Sequence, residues 1–268
     1  MSEVRNKILN SKSENHDWLT VQRLSKLFLV LAFLFSNAGE ASAKRRAVID
    51  FNLKYGFIKG GSARIIIADT LYKGRPAVYY YLEGRTTGVT DAIFKVHNVY
   101  ESIVDAETHL PYKAIRNVKE RSYRYYNEVT FFQENDSIFS ARTGGAKVPA
   151  GLTDISSVFF YFIHQNYISS LQRGKTLTFP VIDGHVVGEI KIGAGEIKPI
   201  ETELGIINCY LLKPELEKGK VLARSDGINL YITQKDKIPV MVDVDLKVGT
   251  LRAVLSSYTV NGREITQL

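Results

Sequence analysis

Ile49-Asp50-Phe51-Asn52-Leu53-Lys54-Tyr55-Gly56-Phe57-Ile58, then Lys59-Gly60-Gly61-Ser62, then Ala63-Arg64-Ile65-Ile66-Ile67-Ala68-Asp69-Thr70-Leu71 run on without a break. In the first run Phe51, Leu53, Tyr55 and Phe57 fall at every second position, which is one face of a β-strand. Lys59–Ser62 predicts a hairpin turn, because glycine supplies the positive φ that such turns need. Ala63–Leu71 predicts the returning strand.

The same alternation extends outward to the C-terminus. Lys73-Gly74-Arg75-Pro76 predicts the next turn and Ala77–Glu83 a tyrosine-rich strand. Ile93–Asp105 is expected to be one long strand with Phe94, Val96 and Val104 in the core. Pro111–Glu120 and Tyr123–Gln133 follow, closed by a turn at Asn135-Asp136. Thr176–Ile182 and His185–Ile192 pair across Asp183-Gly184, a hairpin signal. Gly193-Ala194-Gly195 is expected to turn into Glu196–Glu203, and Ile206–Pro214, Ile228–Thr233, Val240–Val248 and Thr250–Val260 complete the body. Short strands between regular turn signals predict a mainly β, antiparallel domain of roughly a dozen strands. Phenylalanine and tyrosine number 28 against one tryptophan, which also favours strands.

One segment breaks the pattern. In Asp154-Ile155-Ser156-Ser157-Val158-Phe159-Phe160-Tyr161-Phe162-Ile163, residues Ile155, Val158, Phe159 and Phe162 recur at helical spacing behind an N-capping aspartate. The spacing predicts one central helix over Ser156–Asn166. It is apolar nearly all round, so it is expected to be buried on more than one side.

The N-terminus reads as a targeting segment. Leu27–Phe35 is nine apolar residues long, Arg23 and Lys26 precede it, and Ala41-Ser42-Ala43 follows. That order is a secretory signal peptide over residues 1–43, with cleavage between Ala43 and Lys44. Nine residues fall short of the about 20 that a spanning helix needs. The expectation is a periplasmic protein with a single exported domain over 44–268 and no transmembrane span after cleavage. An uncleaved anchor is the alternative, since Lys44-Arg45-Arg46 places unfavourable positive charge directly behind the site. The region before the apolar run is long, so a translation start near Leu19 or Val21 is a further alternative. An outer-membrane barrel needs strands of about 9–11 residues, and the shorter strands and apolar helix argue against one.

The chain carries +7, and removing residues 1–43 leaves +6 on the body. Such an excess favours anionic surfaces such as headgroups or acidic glycan. Cys209 is the one cysteine, so no internal disulfide is available; it lies in the apolar run Ile206–Leu212 and is expected to be buried and inert.

Three landmarks together resemble an exported bacterial family, domain-of-unknown-function family 3108. They are Leu53-Lys54-Tyr55 with Gly61-Ser62-Ala63, the aspartate-led apolar helix at Asp154–Phe162, and Asp226-Gly227-Ile228-Asn229-Leu230-Tyr231-Ile232-Thr233 followed by Lys237-Ile238-Pro239-Val240. The resemblance spans Ile49 to Tyr258. It departs from the family pattern at Tyr231-Ile232-Thr233, where a tryptophan is expected. The family is similar in fold to the periplasmic lipoprotein carriers LolA and LolB. The resemblance therefore implies a strongly curved antiparallel sheet, a half-barrel, wrapped around helical cover with an apolar cavity between. It carries over no catalytic residue.

Candidate chemistry is sparse. His97, His109, His164 and His185 show no metal-ligand spacing, and no cofactor or metal is expected. Asp243 and Asp245 share a strand face, with Val242, Val244, Leu246 and Val248 on the other, so the aspartates are expected on the solvent side. No G-x-S-x-G turn surrounds Ser156-Ser157. Tyr79, Tyr81, Tyr123 and Tyr125, interleaved with arginines, form a candidate glycan contact; export argues against nucleic acid. Val158, Phe159, Phe160 and Phe162 either fill a core or line a cavity for an acyl chain. The leading expectation is a non-enzymatic envelope protein that binds a lipid-like or lipoprotein ligand. The alternative is a module without a cavity that binds envelope glycan or a protein partner.

Overall fold

The computed structural model describes residues 45–268, apart from Phe57, residues 172–173, residues 216–226 and Val248. The expected signal peptide, residues 1–43, lies outside the described residues. In chain order the elements are β1 (Arg46–Tyr55), β2 (Ile58–Tyr72), β3 (Arg75–Thr86), α1 (Gly88–Ile93), β4 (Val96–Asp105), β5 (Pro111–Glu120), β6 (Tyr123–Phe132), β7 (Ser137–Ser140), β8 (Gly144–Lys147), β9 (Thr153–Asp154), α2 (Val158–His164), α3 (Tyr167–Ser170), β10 (Thr176–Asp183), β11 (Val186–Thr202), β12 (Gly205–Glu215), β13 (Ile228–Thr233), β14 (Pro239–Asp245), β15 (Thr250–Val260) and β16 (Arg263–Glu264). A one-turn 3-10 helix, Gln133–Asn135, joins β6 to β7.

All the described strands belong to one sheet, in the order β8-β7-β6-β5-β4-β3-β2-β1-β15-β14-β13-β12-β11-β10-β9, with β16 beside β15. Pairing is antiparallel throughout except between β9 and β10. The sheet is two meanders that meet where the first long strand pairs with the last, Ala47 opposite Val260 and Tyr55 opposite Leu251. Strand alternation buries Ala47, Ile49 and Phe51 in turn along β1. One core cluster gathers Ile49, Phe51, Cys209, Val240 and Leu255. A second packs β10–β13 against the two short helices, through Val158, Phe162, Phe179, Ile190 and Ile232.

The two edges of the sheet, β8 and β9, do not pair with each other. Both are short, four and two residues, which limits the unpaired backbone they offer. Side chains bridge the gap instead. Ser102 on β4 donates to Asp154 on β9 at 2.7 Å, and Asn127 on β6 donates to the Gly184 carbonyl in the β10–β11 turn at 2.7 Å. Arg116 on β5 pairs with Asp183. Leu152 and Ile182 pack with Ala114, Val129, Phe131 and Ile138. The result is an open sheet whose edge region is tied across to β4–β6 by side chains.

Several expectations are corrected. The described residues form sixteen strands rather than a dozen, and three short helices rather than one long one. The β1–β2 turn falls at Gly56, with φ +58°, and Gly60-Gly61-Ser62 lies inside β2. A Cβ on Gly61 would meet the Arg85 carbonyl oxygen at 2.3 Å, so this glycine permits close strand approach and makes no turn. Gly193-Ala194-Gly195 is likewise inside β11, at a bulge where Gly195 rests on Leu211. Residues 88–93 form α1, and β4 begins only at Val96; Phe94 is exposed while Val104 is fully buried. Asp243 is buried beside Met241 and not on the solvent side, because Arg252 from the neighbouring strand covers it with two hydrogen bonds, 2.6 and 3.0 Å. Cys209 is buried as expected, and burial pushes its thiol up to about 11.

Candidate functional site

The apolar helix is two residues late and four residues short of the expected span. Asp154 acts one turn ahead of it. Its carboxylate accepts the Ser156 and Ser157 amides at 3.0 and 3.2 Å and both serine hydroxyls, that of Ser157 at 2.5 Å. With Ser102 this makes a buried, saturated carboxylate that fixes where α2 starts.

Of the four expected cavity residues, Val158 and Phe162 have no exposed surface. Phe162 meets Phe179 edge-on, with ring centres 6.0 Å apart. Phe159 is half-buried against the same cluster. Phe160 points to a different neighbour, Tyr80, on which it stacks at 4.0 Å. The width of the helix's apolar surface thus reflects two separate contacts, one with β10–β13 and one with β3.

The second contact continues into a group that sequence spacing could not reveal. Tyr80 Oη and His109 Nδ1 hydrogen-bond at 2.8 Å, and the His109 and His164 rings stack at 3.5 Å. His164 Nε2 meets the Glu107 carbonyl at 2.9 Å, and Gln165 donates to the Thr108 carbonyl at 3.2 Å. The end of α2 is therefore clamped to the β4–β5 loop. Burial, then the neighbouring His164 and Arg45, pushes His109 down to about 4, so it is neutral at neutral pH.

The four tyrosines do not form one surface. Tyr79 lies opposite Ile103, which lies opposite Lys113 and then Thr130, so Tyr79 and Tyr81 share a face with Thr130 of β6. Tyr123 and Tyr125 lie on the other face of β6. On the first face Tyr79 donates to Glu101 at 2.5 Å, with its ring 6.5 Å from that of Tyr81. On the second, Tyr125 faces His185 at 3.0 Å, and the Arg116 guanidinium lies over both Tyr100 and Tyr125. The latter belongs to the side-chain bridge between β5 and the β10–β11 turn.

A wider opening lies elsewhere. A cleft of about 860 Å³ separates the end of β11, Pro199–Glu203, from β1, β14 and β15. Ile200, Met241 and Leu255 line it as nearly buried side chains, with Val254 beside them. Its rim is polar: Asn52 donates to Glu203 at 2.6 Å across the cleft, and Lys54, Lys59, Glu201 and Arg252 also line it. None of the four expected helix residues lines this cleft. A second opening, about 450 Å³, lies over the Gly195 bulge and is lined by Lys175, Lys198 and Lys213 with Glu196 and Glu215. Among the described residues no group of three or more His, Cys, Asp or Glu is placed to hold a metal ion. No described helix is long and apolar enough to cross a membrane.

The sequence model of a family described as "Protein of unknown function (DUF3108)" matches residues 50–256. No curated protein matches the chain. Three solved chains match it. One is the crystal structure of a beta-barrel-like protein of domain of unknown function DUF1849 from Brucella abortus, at 10% identity and TM-score 0.52. The match covers 81% of this chain and 97% of that one. At that identity the likeness concerns the fold alone.

Proposed function

This chain belongs to the DUF3108 family of proteins of unknown function, and from that premise we propose that it is an exported, non-enzymatic binding protein of the cell envelope. Its ligand is amphiphilic and lipid-like, held in the cleft between β11 and β1–β14–β15. One observation carries this reading: Ile200, Met241, Val254 and Leu255 form an apolar lining beneath a rim of Lys54, Lys59 and Arg252. Its volume, about 860 Å³, falls in the usual range of ligand sites. An acyl chain suits the lining, and the mixed rim, with Lys54 and Lys59 beside Glu201 and Glu203, suits a polar head. The leader-like residues 1–43 support export.

A second reading has its own observation. Tyr79 and Tyr81 lie side by side with Glu101 on one sheet face, an arrangement of ring faces and a carboxylate that suits a sugar.

Titration with a fluorescent fatty-acid probe tests the first reading. The parent protein is expected to bind it. Val254→Asp places a charge against the chain and is expected to weaken binding about tenfold or more, about 1.4 kcal/mol. Phe159→Ala, outside the cleft, is expected to bind as the parent does. Failure of the parent to bind, or loss of binding in Phe159→Ala with Val254→Asp unaffected, overturns the cleft assignment.

A further inference from the structure

We propose that the rim formed by the start of β2, α1 and the β5–β6 turn docks on an anionic lipid bilayer. The proposal does not depend on a ligand in the cleft.

α1 is six residues long and buries none of them. Val89 is 77% exposed and Ile93 72% exposed, and Phe94, which closes the helix, is exposed too. A short helix gains little from its own backbone and normally earns its place by packing an apolar face. Here the apolar residues face water. Ile58 at the start of β2, 65% exposed, adds to them.

These residues are tied into one patch. The Thr87 amide donates to the Gly60 carbonyl at 3.0 Å, and the Thr90 side chain sits over Gly60, 2.9 Å from where a Cβ would stand. That joins α1 to the strand two residues beyond Ile58. The Arg121 amide donates to the Lys95 carbonyl at 2.8 Å, and the Arg121 guanidinium lies 5.3 Å from the Phe94 ring centre. That joins α1 to the β5–β6 turn. Single exposed apolar side chains are ordinary, but a tied group of four large ones marks a contact surface.

Charge selects the occupant. Lys95, Arg121 and Arg124 are exposed within the same patch. Its carboxylates, Asp91 and Glu120, are engaged: Asp91 accepts from Thr86 at 2.8 Å and pairs with Lys95 at 3.8 Å, and Glu120 accepts from Asn98 at 2.7 Å. Apolar side chains beside the exposed cations of Lys95, Arg121 and Arg124 match the boundary of a membrane with anionic headgroups, where chain burial and electrostatic attraction add. An apolar protein partner would be served by the side chains alone and gives no reason for the cations beside them.

The test uses residues 44–268, because residues 45–268 form a compact unit with all the described strands and their core clusters, and the apolar run at Leu27–Phe35 would itself bind lipid. The protein is sedimented with vesicles of phosphatidylcholine alone and of phosphatidylcholine mixed with phosphatidylglycerol. Co-sedimentation is expected with the mixed vesicles only, and is expected to fall as salt rises. The double variant Val89→Glu/Ile93→Glu changes exposed positions, so its unfolding midpoint should match the parent's while vesicle binding drops about tenfold or more. Equal binding by the parent and the double variant overturns the proposal, as does no binding to the mixed vesicles. A concentration-dependent dimer abolished by the same double variant, without vesicle binding, assigns the patch to a second copy instead. Probe binding in the cleft is expected to be unchanged in the double variant, which keeps the two proposals separable.

Discussion

At Gly61 the pairing of two long strands rests on one missing methyl group. A Cβ there would lie 2.3 Å from the Arg85 carbonyl oxygen, a backbone atom that cannot swing away. Gly61→Ala is therefore expected to push β2 from β3 and to lower stability by about 1–3 kcal/mol, as overpacking does. Gly84→Ala, on β3 with nothing within 4 Å of its added carbon, is the control and should cost far less. Urea unfolding of the two variants measures the difference, and equal midpoints would contradict the packing account. The same glycine explains why the sequence alone does not place the turn. Gly60-Gly61-Ser62 satisfies the requirements of a turn and those of a close approach equally well, and only the neighbouring strand distinguishes them. Gly193-Ala194-Gly195 poses the same ambiguity, resolved by Leu211 beneath Gly195. Gly74 and Gly184, by contrast, do sit in turns with positive φ, and the expected turns at Lys73-Gly74 and Asp183-Gly184 hold.

Helix α2 was legible as an element and not as a site. Its period and its aspartate were visible in Asp154–Phe162, because both are local. Its two separate packing partners were not, because Tyr80 and Phe179 approach from distant strands. The His109–His164 stack was equally hidden, since 55 positions separate two residues whose rings meet at 3.5 Å. That stack gives the fold a pH dependence. In the folded protein His109 is held at about 4, below its ordinary 6.5, by burial and by His164 and Arg45, against a weaker upward pull from Asp105. The unfolded chain takes up the proton near 6.5 and the folded chain only near 4. Stability is therefore full above pH 6.5 and is lost as pH falls from 6.5 to 4. His109→Asn keeps a residue that tolerates the φ of +56° and removes the titration. The urea midpoint of the parent is expected to fall over that window, and that of His109→Asn to fall less. Parallel curves for the two proteins would remove His109 from the account.

For the whole molecule, the sequence carried the class of fold and the family, and the match over residues 50–256 agrees with the landmarks at Leu53–Ala63, Asp154–Phe162 and Asp226–Val240. Antiparallel meanders are legible because their alternation and turns are local signals. The pairing of β1 with β15 is not local, and neither is the bridging of the sheet edges by Ser102–Asp154, Asn127–Gly184 and Arg116–Asp183. The cleft arises from the same long-range geometry. Its walls come from β1, β11, β14 and β15, whose residues lie up to 203 positions apart, so no motif announces it. The helix drew attention in the sequence because its apolar residues are contiguous. The structure spends Val158 and Phe162 on a filled core. The central claim, that a lipid-like ligand lies in the cleft and not under the helix, is tested most directly by a photoactivatable fatty acid and peptide mapping of the label. The account predicts label on the peptides that carry Pro199–Glu203 and Arg252–Leu255. Label confined to the peptide that carries Val158–Phe162, or no saturable labelling at all, would contradict it.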